Sequence, residues 1–268
     1  MRLDVKHTTT YGFDTPMRSV TQSLRLWPSQ FEGQIAVDWS VDVPGGIRGS
    51  AFRTGAGDWI ETAHLAGLVS EVTVIVRGTV TTTDLHGVLR GHRERVPPEA
   101  YLRTTRFTRP DAALTELARK ATDTGASPLE RAHALANAIR EAIDYRPGET
   151  DSQTTAAEAL ANGAGVCQDH AHALISAALA VDVPARYAVG YLHAEGGIAE
   201  ASHGWAELWV EDLGWVGFDP SNGVCPDENY IRIGSGLDAV DAAPIRGVSR
   251  GAGSERMAVD VVVAAADQ

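Results

Sequence analysis

The period of the hydrophobic pattern changes near residue 108, and this change constrains the fold more than any other feature. Before it, stretches such as 35–43 and 71–83 alternate apolar and polar residues and are rich in Val, Ile and Thr. Alternation of period two indicates half-buried antiparallel strands, and several such strands close together favour a sandwich. Residues 110–144 instead carry apolar residues at helical spacing. The sequence therefore predicts an α+β protein whose N-terminal domain is β-sandwich-like.

A local helix-start signal supports this division of the chain. Ser127 before Pro128, with Glu130 following, is typical of a capped helix start with proline at the first helical position. The predicted parts are a β-rich N-terminal domain at 1–107, a core with helices and strands at 108–232, and a C-terminal extension with one strand at 233–268.

Composition and charge restrict the classes of function. Lys and Arg number 23 and Asp and Glu 35, so the formal net charge is −12. Such an acidic chain repels phosphate backbones and anionic lipid, so neither nucleic acid nor a membrane is an expected partner. The first residues lack the apolar segment of a signal peptide, and no apolar run approaches the ~18 residues of a membrane span. We expect a cytoplasmic protein.

Cofactors and disulfides are also not expected. The sequence has no glycine-rich nucleotide motif, so no nucleotide cofactor is implied. The two cysteines, Cys167 and Cys225, are too few for a disulfide framework and are expected to be reduced thiols. Oligomeric state stays open at this point.

Cys167 lies at a predicted junction between a loop and a helix. It is the third residue of Gly-Val-Cys-Gln-Asp at 165–169, and apolar residues keep helical spacing downstream as far as Pro184. The N-terminus of a helix carries free N–H groups and partial positive charge, which favour a thiolate and can form half of an oxyanion hole. A lone cysteine is more often a small buried apolar residue, so a catalytic interpretation requires a base elsewhere.

His203 and Asp219 supply that base and a carboxylate to orient it. They lie on two predicted strands that flank a short turn. A three-residue loop at 211–213 places both side chains on one face as diagonal neighbours, whereas a four-residue loop would place them on opposite faces. A carboxylate beside an imidazole fixes its tautomer and stabilises the imidazolium that forms next to a thiolate. The sequence therefore predicts a triad of Cys167, His203 and Asp219.

These residues and their surroundings resemble the transglutaminase-like superfamily. Three stretches are similar to its motifs, and a fourth is similar to the N-terminal domain of its bacterial branch: Gly-Val-Cys-Gln-Asp at 165–169, Ser-His-Gly-Trp-Ala-Glu at 202–207, Gly-Trp-Val-Gly-Phe-Asp-Pro-Ser-Asn at 214–222 and Leu-Arg-Leu-Trp-Pro at 24–28. The resemblance covers nearly the whole chain and implies a papain-like core with the same triad. Gly204 departs from the family pattern, because the family usually has an Ala- or Val-type residue at this position.

The expected activity is that of a thiol-dependent amide or peptide hydrolase, a cysteine protease that forms a thioester with a peptide or protein substrate. A protein-glutamine acyltransferase is the first alternative, since an amine can replace water in the second step. A binding module without catalysis is the second. Hydrolysis is favoured because no sequence feature protects a thioester from water.

Other residues near the triad carry weaker expectations. Gln168, Asp169 and Trp205 are candidates for contacting the substrate or supporting the triad, although an acidic Asp169 is equally explained by the helix dipole. Trp205, with the two tryptophans that follow it, is more typical of a core than of a carbohydrate platform. His170 and His172 raise the possibility of a metal site, but structural zinc usually needs four ligands, so no metal is expected.

Overall fold

The computed structural model describes residues 1–123, 126–194 and 202–266. Within these ranges, none of the helices is long and apolar enough to cross a membrane. A 3-10 turn covers Pro98–Tyr101. The remaining elements, in chain order, are β1 (Arg2–Leu24), β2 (Gln34–Asp42), β3 (Ile47–Arg53), β4 (Trp59–Thr82), α1 (Ala112–Thr122), α2 (Pro128–Ala142), β5 (Asp144–Tyr145), α3 (Ala156–Asn162), β6 (Ala164–Gly165), α4 (Cys167–Leu179), β7 (Ala185–Leu192), β8 (His203–Val210), β9 (Gly214–Phe218), β10 (Tyr230–Gly236), β11 (Ile245–Arg250) and β12 (Glu255–Ala265).

The N-terminal strands and the last two strands of the chain form one antiparallel sheet of six strands. The long strands β1 and β4 pair in its centre, β2 and β3 pair with β4, and β11 and β12 pair with β1. The register of β1 against β4 shifts between Gly12 and Ser19, which divides the sheet into two halves. The α+β class is thus confirmed, with an antiparallel sheet region at the N-terminus and helices plus a second sheet in the core.

The end of the chain returns to the first sheet. The single strand expected in the C-terminal extension is present as part of β12, and a second strand, β11, precedes it. The sequence Ile-Arg-Gly-Val-Ser-Arg of β11 has only two apolar residues and no period-two pattern, so it carries little strand signal. The core strand β10 also continues past the predicted boundary at 232/233. The extension is therefore built into both sheets.

Local sequence signals explain where the core helices begin and end. The Ser127 hydroxyl accepts a hydrogen bond from the Glu130 N–H, and the Glu130 carboxylate accepts one from the Ser127 N–H, so α2 begins with a reciprocal cap. Thr155 caps α3 in the same way. Gly163 ends α3 with a φ of +62°, a left-handed conformation that favours glycine. The next helix, α4, then begins at Cys167.

Helix α4 packs against a four-stranded antiparallel sheet of order β10-β7-β8-β9. In the β8–β9 hairpin, Leu208 lies opposite Val216 and Val210 opposite Gly214, so the loop has three residues. This is the register that places His203 and Asp219 on one face. The first residue of β8 and the residue that follows β9 therefore lie together, in a sheet that α4 covers.

Buried charges join the two sheets. Glu207 of β8 accepts hydrogen bonds from Arg186 of β7 and Arg232 of β10, each with an N–O distance of 2.6 Å. Arg232 also lies 3.3 Å from Asp58, which precedes β4. Burial raises the pKa of Glu207, but the charges of Arg232 and Arg186 outweigh it and bring the pKa to about 2. An ionised carboxylate thus ties the four-stranded sheet to the N-terminal sheet.

Candidate active site

Cys167 is the first residue of α4 and is partly exposed. The Asp169 carboxylate fixes the start of this helix by accepting hydrogen bonds from the Val166 N–H at 2.8 Å and the Thr150 hydroxyl at 2.6 Å. A β-carbon on Gly165 would lie 2.6 Å from the side chain of Asp169, so the residue there must be glycine. The sequence thus presents the thiol at a rigid helix N-terminus.

His203 and Asp219 are buried and hydrogen-bonded, with 2.6 Å between Nε2 and Oδ2. Asp219 also accepts hydrogen bonds from the Ser221 hydroxyl, the Asn222 amide and the Tyr230 hydroxyl, at 2.6, 2.7 and 2.8 Å. Burial raises the pKa of Asp219, but the hydrogen bond and charge of His203, together with the bonds from Ser221 and Asn222, bring the pKa to about 2. An ionised carboxylate only accepts hydrogen bonds, so the Nε2 atom of His203 carries a proton.

Tyr187 of β7 is buried, and its hydroxyl lies next to Gly204 in the strand that begins with His203. Burial is the largest cause that raises the pKa of Tyr187 well above its ordinary value, so the phenol is protonated. Its hydroxyl occupies the position that a β-carbon on Gly204 would take. The departure at Gly204 from the usual Ala- or Val-type residue therefore has a steric cause.

We expect Gly204→Ala to lower the free energy of unfolding by about 1–3 kcal/mol, the usual effect of overpacking. The new methyl group would overlap the Tyr187 hydroxyl, and the ring of His172, with centroids 5.3 Å apart, limits the movement of Tyr187. Urea denaturation of the variant and the wild type measures this difference.

Two further variants distinguish steric overlap with Tyr187 from a general effect of alanine on the stability of a strand. Tyr187→Phe in the Gly204→Ala background removes the nearest overlapping atom and should recover part of the lost stability. Gly12→Ala should be close to neutral, because no atom lies within 4 Å of a β-carbon there. Equal stability of Gly204→Ala and the wild type would contradict the steric explanation.

The remaining predicted residues occupy different surroundings. Gln168 is half-buried and lines a pocket with Tyr187. Trp205 is buried and stacks on His203, with ring centroids 6.3 Å apart and an interplanar angle of 24°. The contacts of Asp169 are those of a helix cap, and its role in contacting the substrate stays a prediction. The tryptophans Trp205 and Trp215 are buried in the core.

His170 and His172 have structural contacts. The two ring nitrogens of His170 lie 2.9 Å from the carbonyl oxygens of Val166 and Ile143. The Nε2 atom of His172 accepts a hydrogen bond from the Ala239 N–H at 3.0 Å. In the described ranges, no group of three or more His, Cys, Asp or Glu side chains is placed to hold a metal ion. Both histidines thus anchor α4 to its neighbours.

Four residues of the site were not identified from the sequence. Ser221 and Asn222 donate to Asp219, and their position directly after Asp219 and Pro220 is typical of an Asx turn, so a local signal exists. Tyr187 and Tyr230 reach the site from β7 and β10 through tertiary packing, for which no local signal exists.

Two family profiles match the chain. Residues 115–220 match the transglutaminase-like superfamily core, and residues 3–81 match the bacterial transglutaminase-like N-terminal region. An uncharacterized protein of Mycobacterium leprae is 29% identical, with 98% of this chain and 97% of that protein covered. An uncharacterized protein of Mycobacterium tuberculosis is 36% identical over 48% of this chain and 44% of that protein.

A solved structure has the same fold. The crystal structure of a "putative cysteine protease" from Cytophaga hutchinsonii superposes with a TM-score of 0.75 at 24% sequence identity. The match covers 100% of this chain and 92% of that chain, so it includes the N-terminal sheet as well as the core.

Proposed function

Because the chain joins a bacterial transglutaminase-like N-terminal region to a core of the transglutaminase-like superfamily, we propose that it is a thiol-dependent amide or peptide hydrolase. Cys167 would be the nucleophile, His203 the general base and acid, and Asp219 the residue that orients His203. The observation that carries the proposal is the buried 2.6 Å hydrogen bond between His203 and Asp219, in a hairpin that packs against the helix starting at Cys167. A binding module without catalysis has no need for a buried bond between a carboxylate and an imidazole in this hairpin.

The first step forms a thioester. With the Nε2 proton donated to Asp219, the Nδ1 atom of His203 accepts the proton of the Cys167 thiol, and the thiolate attacks the carbonyl carbon of an amide. The Asp169 and His170 N–H groups already donate to the Val166 carbonyl. The Cys167 N–H precedes the first intrahelical bonds, so it is available to stabilise the oxyanion. The proton on Nδ1 then passes to the leaving amine as the C–N bond breaks.

The second step releases the acid. Nδ1 of His203 accepts a proton from water, and the resulting hydroxide attacks the thioester carbonyl. The C–S bond breaks, the proton returns to the sulfur of Cys167, and the carboxylic acid leaves. Asp219 stabilises the imidazolium in both steps and keeps its own charge throughout, because its pKa is about 2.

Selective alkylation tests the proposal. We expect iodoacetamide to modify Cys167 rapidly at pH 6–7, and His203→Ala to slow this reaction at pH 6 at least ~10-fold, because no base then removes the thiol proton. Intact-mass spectrometry in a Cys225→Ser background gives the rate. Cys225 itself should react slowly at these pH values, since burial and the charge of Asp84 raise its pKa to about 11.

The outcome decides between a catalytic thiol and an inert one. Slow alkylation of Cys167 that is independent of His203 would refute the catalytic proposal and favour the binding module. Turnover of peptide amides with and without a primary amine separates the two catalytic alternatives. A hydrolase yields the free acid in both conditions, whereas an acyltransferase transfers the acyl group to the amine.

A further inference from the structure

A pocket of about 380 Å³ lies where the two sheets and the end of the chain meet. The N-terminal sheet contributes one wall through its paired strands β1 and β12. The core contributes the remainder through the start of α4 and through β7. Representative lining residues are His7 and Tyr11 of β1, Met257 and Val259 of β12, Gln168 of α4 and Tyr187 of β7.

This pocket opens beside the proposed triad. Two of its lining residues, Gln168 and Ser202, are the chain neighbours of Cys167 and His203. Consecutive Cα atoms are about 3.8 Å apart, so the pocket reaches within one residue of both reacting groups. An acyl group bound to the Cys167 sulfur can therefore place an adjacent side chain in this pocket.

The part of the pocket wall that the structure describes is uncharged. Among the described residues that line it there is no Asp, Glu, Lys or Arg. Burial lowers the pKa of His7 to about 4 against the raising effect of Asp260, so its ring is neutral at pH 7. Its nitrogens hydrogen-bond to the Tyr191 and Thr9 hydroxyls at 2.8 and 2.7 Å. A charged side chain entering the pocket would lose hydration without gaining an oppositely charged partner among the described lining residues.

We propose that this pocket binds a bulky uncharged apolar side chain on the acyl side of the cleaved amide bond. The proposal rests on the proposed function of Cys167 and names its substrate class, peptides with residues such as Phe or Leu at that position. A volume of about 380 Å³ is within the range of specific binding pockets and holds a large side chain. The N-terminal sheet, with its strands β1 and β12, thereby acts as an element of substrate specificity.

Covalent probes test the assignment. Acetyl-aminoacyl chloromethyl ketones with Phe, Leu, Ala, Lys or Glu side chains alkylate an active-site thiol, and iodoacetamide serves as a reference that has no side chain. We expect the Phe and Leu probes to modify Cys167 at least ~10-fold faster than the Ala, Lys and Glu probes, after normalisation to iodoacetamide. Intact-mass spectrometry in the Cys225→Ser background gives each second-order rate.

Variants at Val259, Val262 and Ala243 test whether the preference for the Phe probe arises in this pocket. Val259→Asp places a charge in the pocket and should lower the ratio of the Phe rate to the Lys rate about 10-fold. Val262→Asp makes the same change on the same strand at a residue that is 49% exposed and outside the pocket, and should leave the ratio unchanged. Ala243→Phe fills the pocket and should slow the Phe probe selectively.

Each result separates this proposal from the proposed function. If Cys167 reacts with iodoacetamide but equally fast with all five probes, the pocket assignment is overturned and the catalytic thiol stands. The same holds if Val259→Asp and Val262→Asp give equal ratios. If Cys167 reacts with none of the reagents, the proposed function fails and the pocket assignment fails with it.

Discussion

Asp219→Asn is expected to lower kcat/KM for a fluorogenic peptide amide about 10⁴-fold, the usual effect of losing the carboxylate that orients a catalytic histidine. In the wild type, the ionised Asp219 accepts the Nε2 proton of His203. An asparagine can turn an N–H₂ group toward Nε2, which moves the imidazole proton to Nδ1. That tautomer cannot accept the thiol proton, so both turnover and alkylation of Cys167 at pH 6 should fall.

A second aspartate provides the matched control. Asp227 accepts hydrogen bonds from the Asn229 N–H and side-chain amide at 2.8 and 3.0 Å, within its own turn. Asp227→Asn makes the same chemical change outside the triad and should leave kcat/KM near that of the wild type. Circular dichroism and thermal unfolding show whether each variant is folded. A folded Asp219→Asn protein with activity within tenfold of the wild type would contradict the role given to Asp219.

The placement of His203 and Asp219 is an example of what sequence reasoning predicts well. Side chains on a strand alternate with a period of two, so the length of the turn at 211–213 alone decides whether two residues on adjacent strands share a face. The observed pairing of Leu208 with Val216 has the register that a three-residue loop requires. Helix caps at Ser127 and Thr155 are predictable for a similar reason, because both partners lie within four residues.

The contacts of Tyr187 and Tyr230 are an example of what sequence reasoning does not predict. Both tyrosines reach the site from β7 and β10, strands that carry neither His203 nor Asp219, and no short-range sequence pattern predicts these contacts. The return of β11 and β12 to the first sheet is hidden for the same reason. The contacts of Asp169 likewise depend on Thr150, which is 19 residues away.

Gly204 shows how sequence and structure together explain an unusual residue. The sequence identifies Gly204 only as a departure from a family pattern. The structure gives the reason, since the hydroxyl of Tyr187 fills the space of the missing side chain. A small residue on one strand thus allows a large one on its neighbour.

The N-terminal sheet contributes to the site in two ways. It lines the proposed specificity pocket through β1, and it is tied to the four-stranded sheet by buried charges around Glu207. His203 is the first residue of the strand that carries Glu207, so the position of the histidine depends on this junction. The N-terminal region is therefore structurally coupled to the chemistry proposed for the core.

Glu207→Ala is expected to lower the free energy of unfolding by about 3–5 kcal/mol, the usual effect of removing one partner from a buried ion pair. Glu207 and Arg186 are fully buried, and the carboxylate accepts hydrogen bonds from both Arg186 and Arg232. Its removal leaves Arg186 with Glu94 and Arg232 with Asp58 as the remaining acidic partners. Urea denaturation gives the change in midpoint and slope.

A surface pair is the matched control for this prediction, because its charges remain hydrated. Glu116 and Lys120 form an exposed ion pair at 3.3 Å on α1, so Glu116→Ala should change stability little. Glu207→Gln keeps the shape of the side chain but loses its charge, so its effect should be smaller than that of Glu207→Ala and larger than that of Glu116→Ala. Removing a carboxylate that the buried guanidinium groups need should cost several kcal/mol. If Glu207→Ala lowers the free energy of unfolding by less than about 1 kcal/mol, the buried charges do not hold the sheets together. The apolar core would then have to stabilise the junction that positions His203.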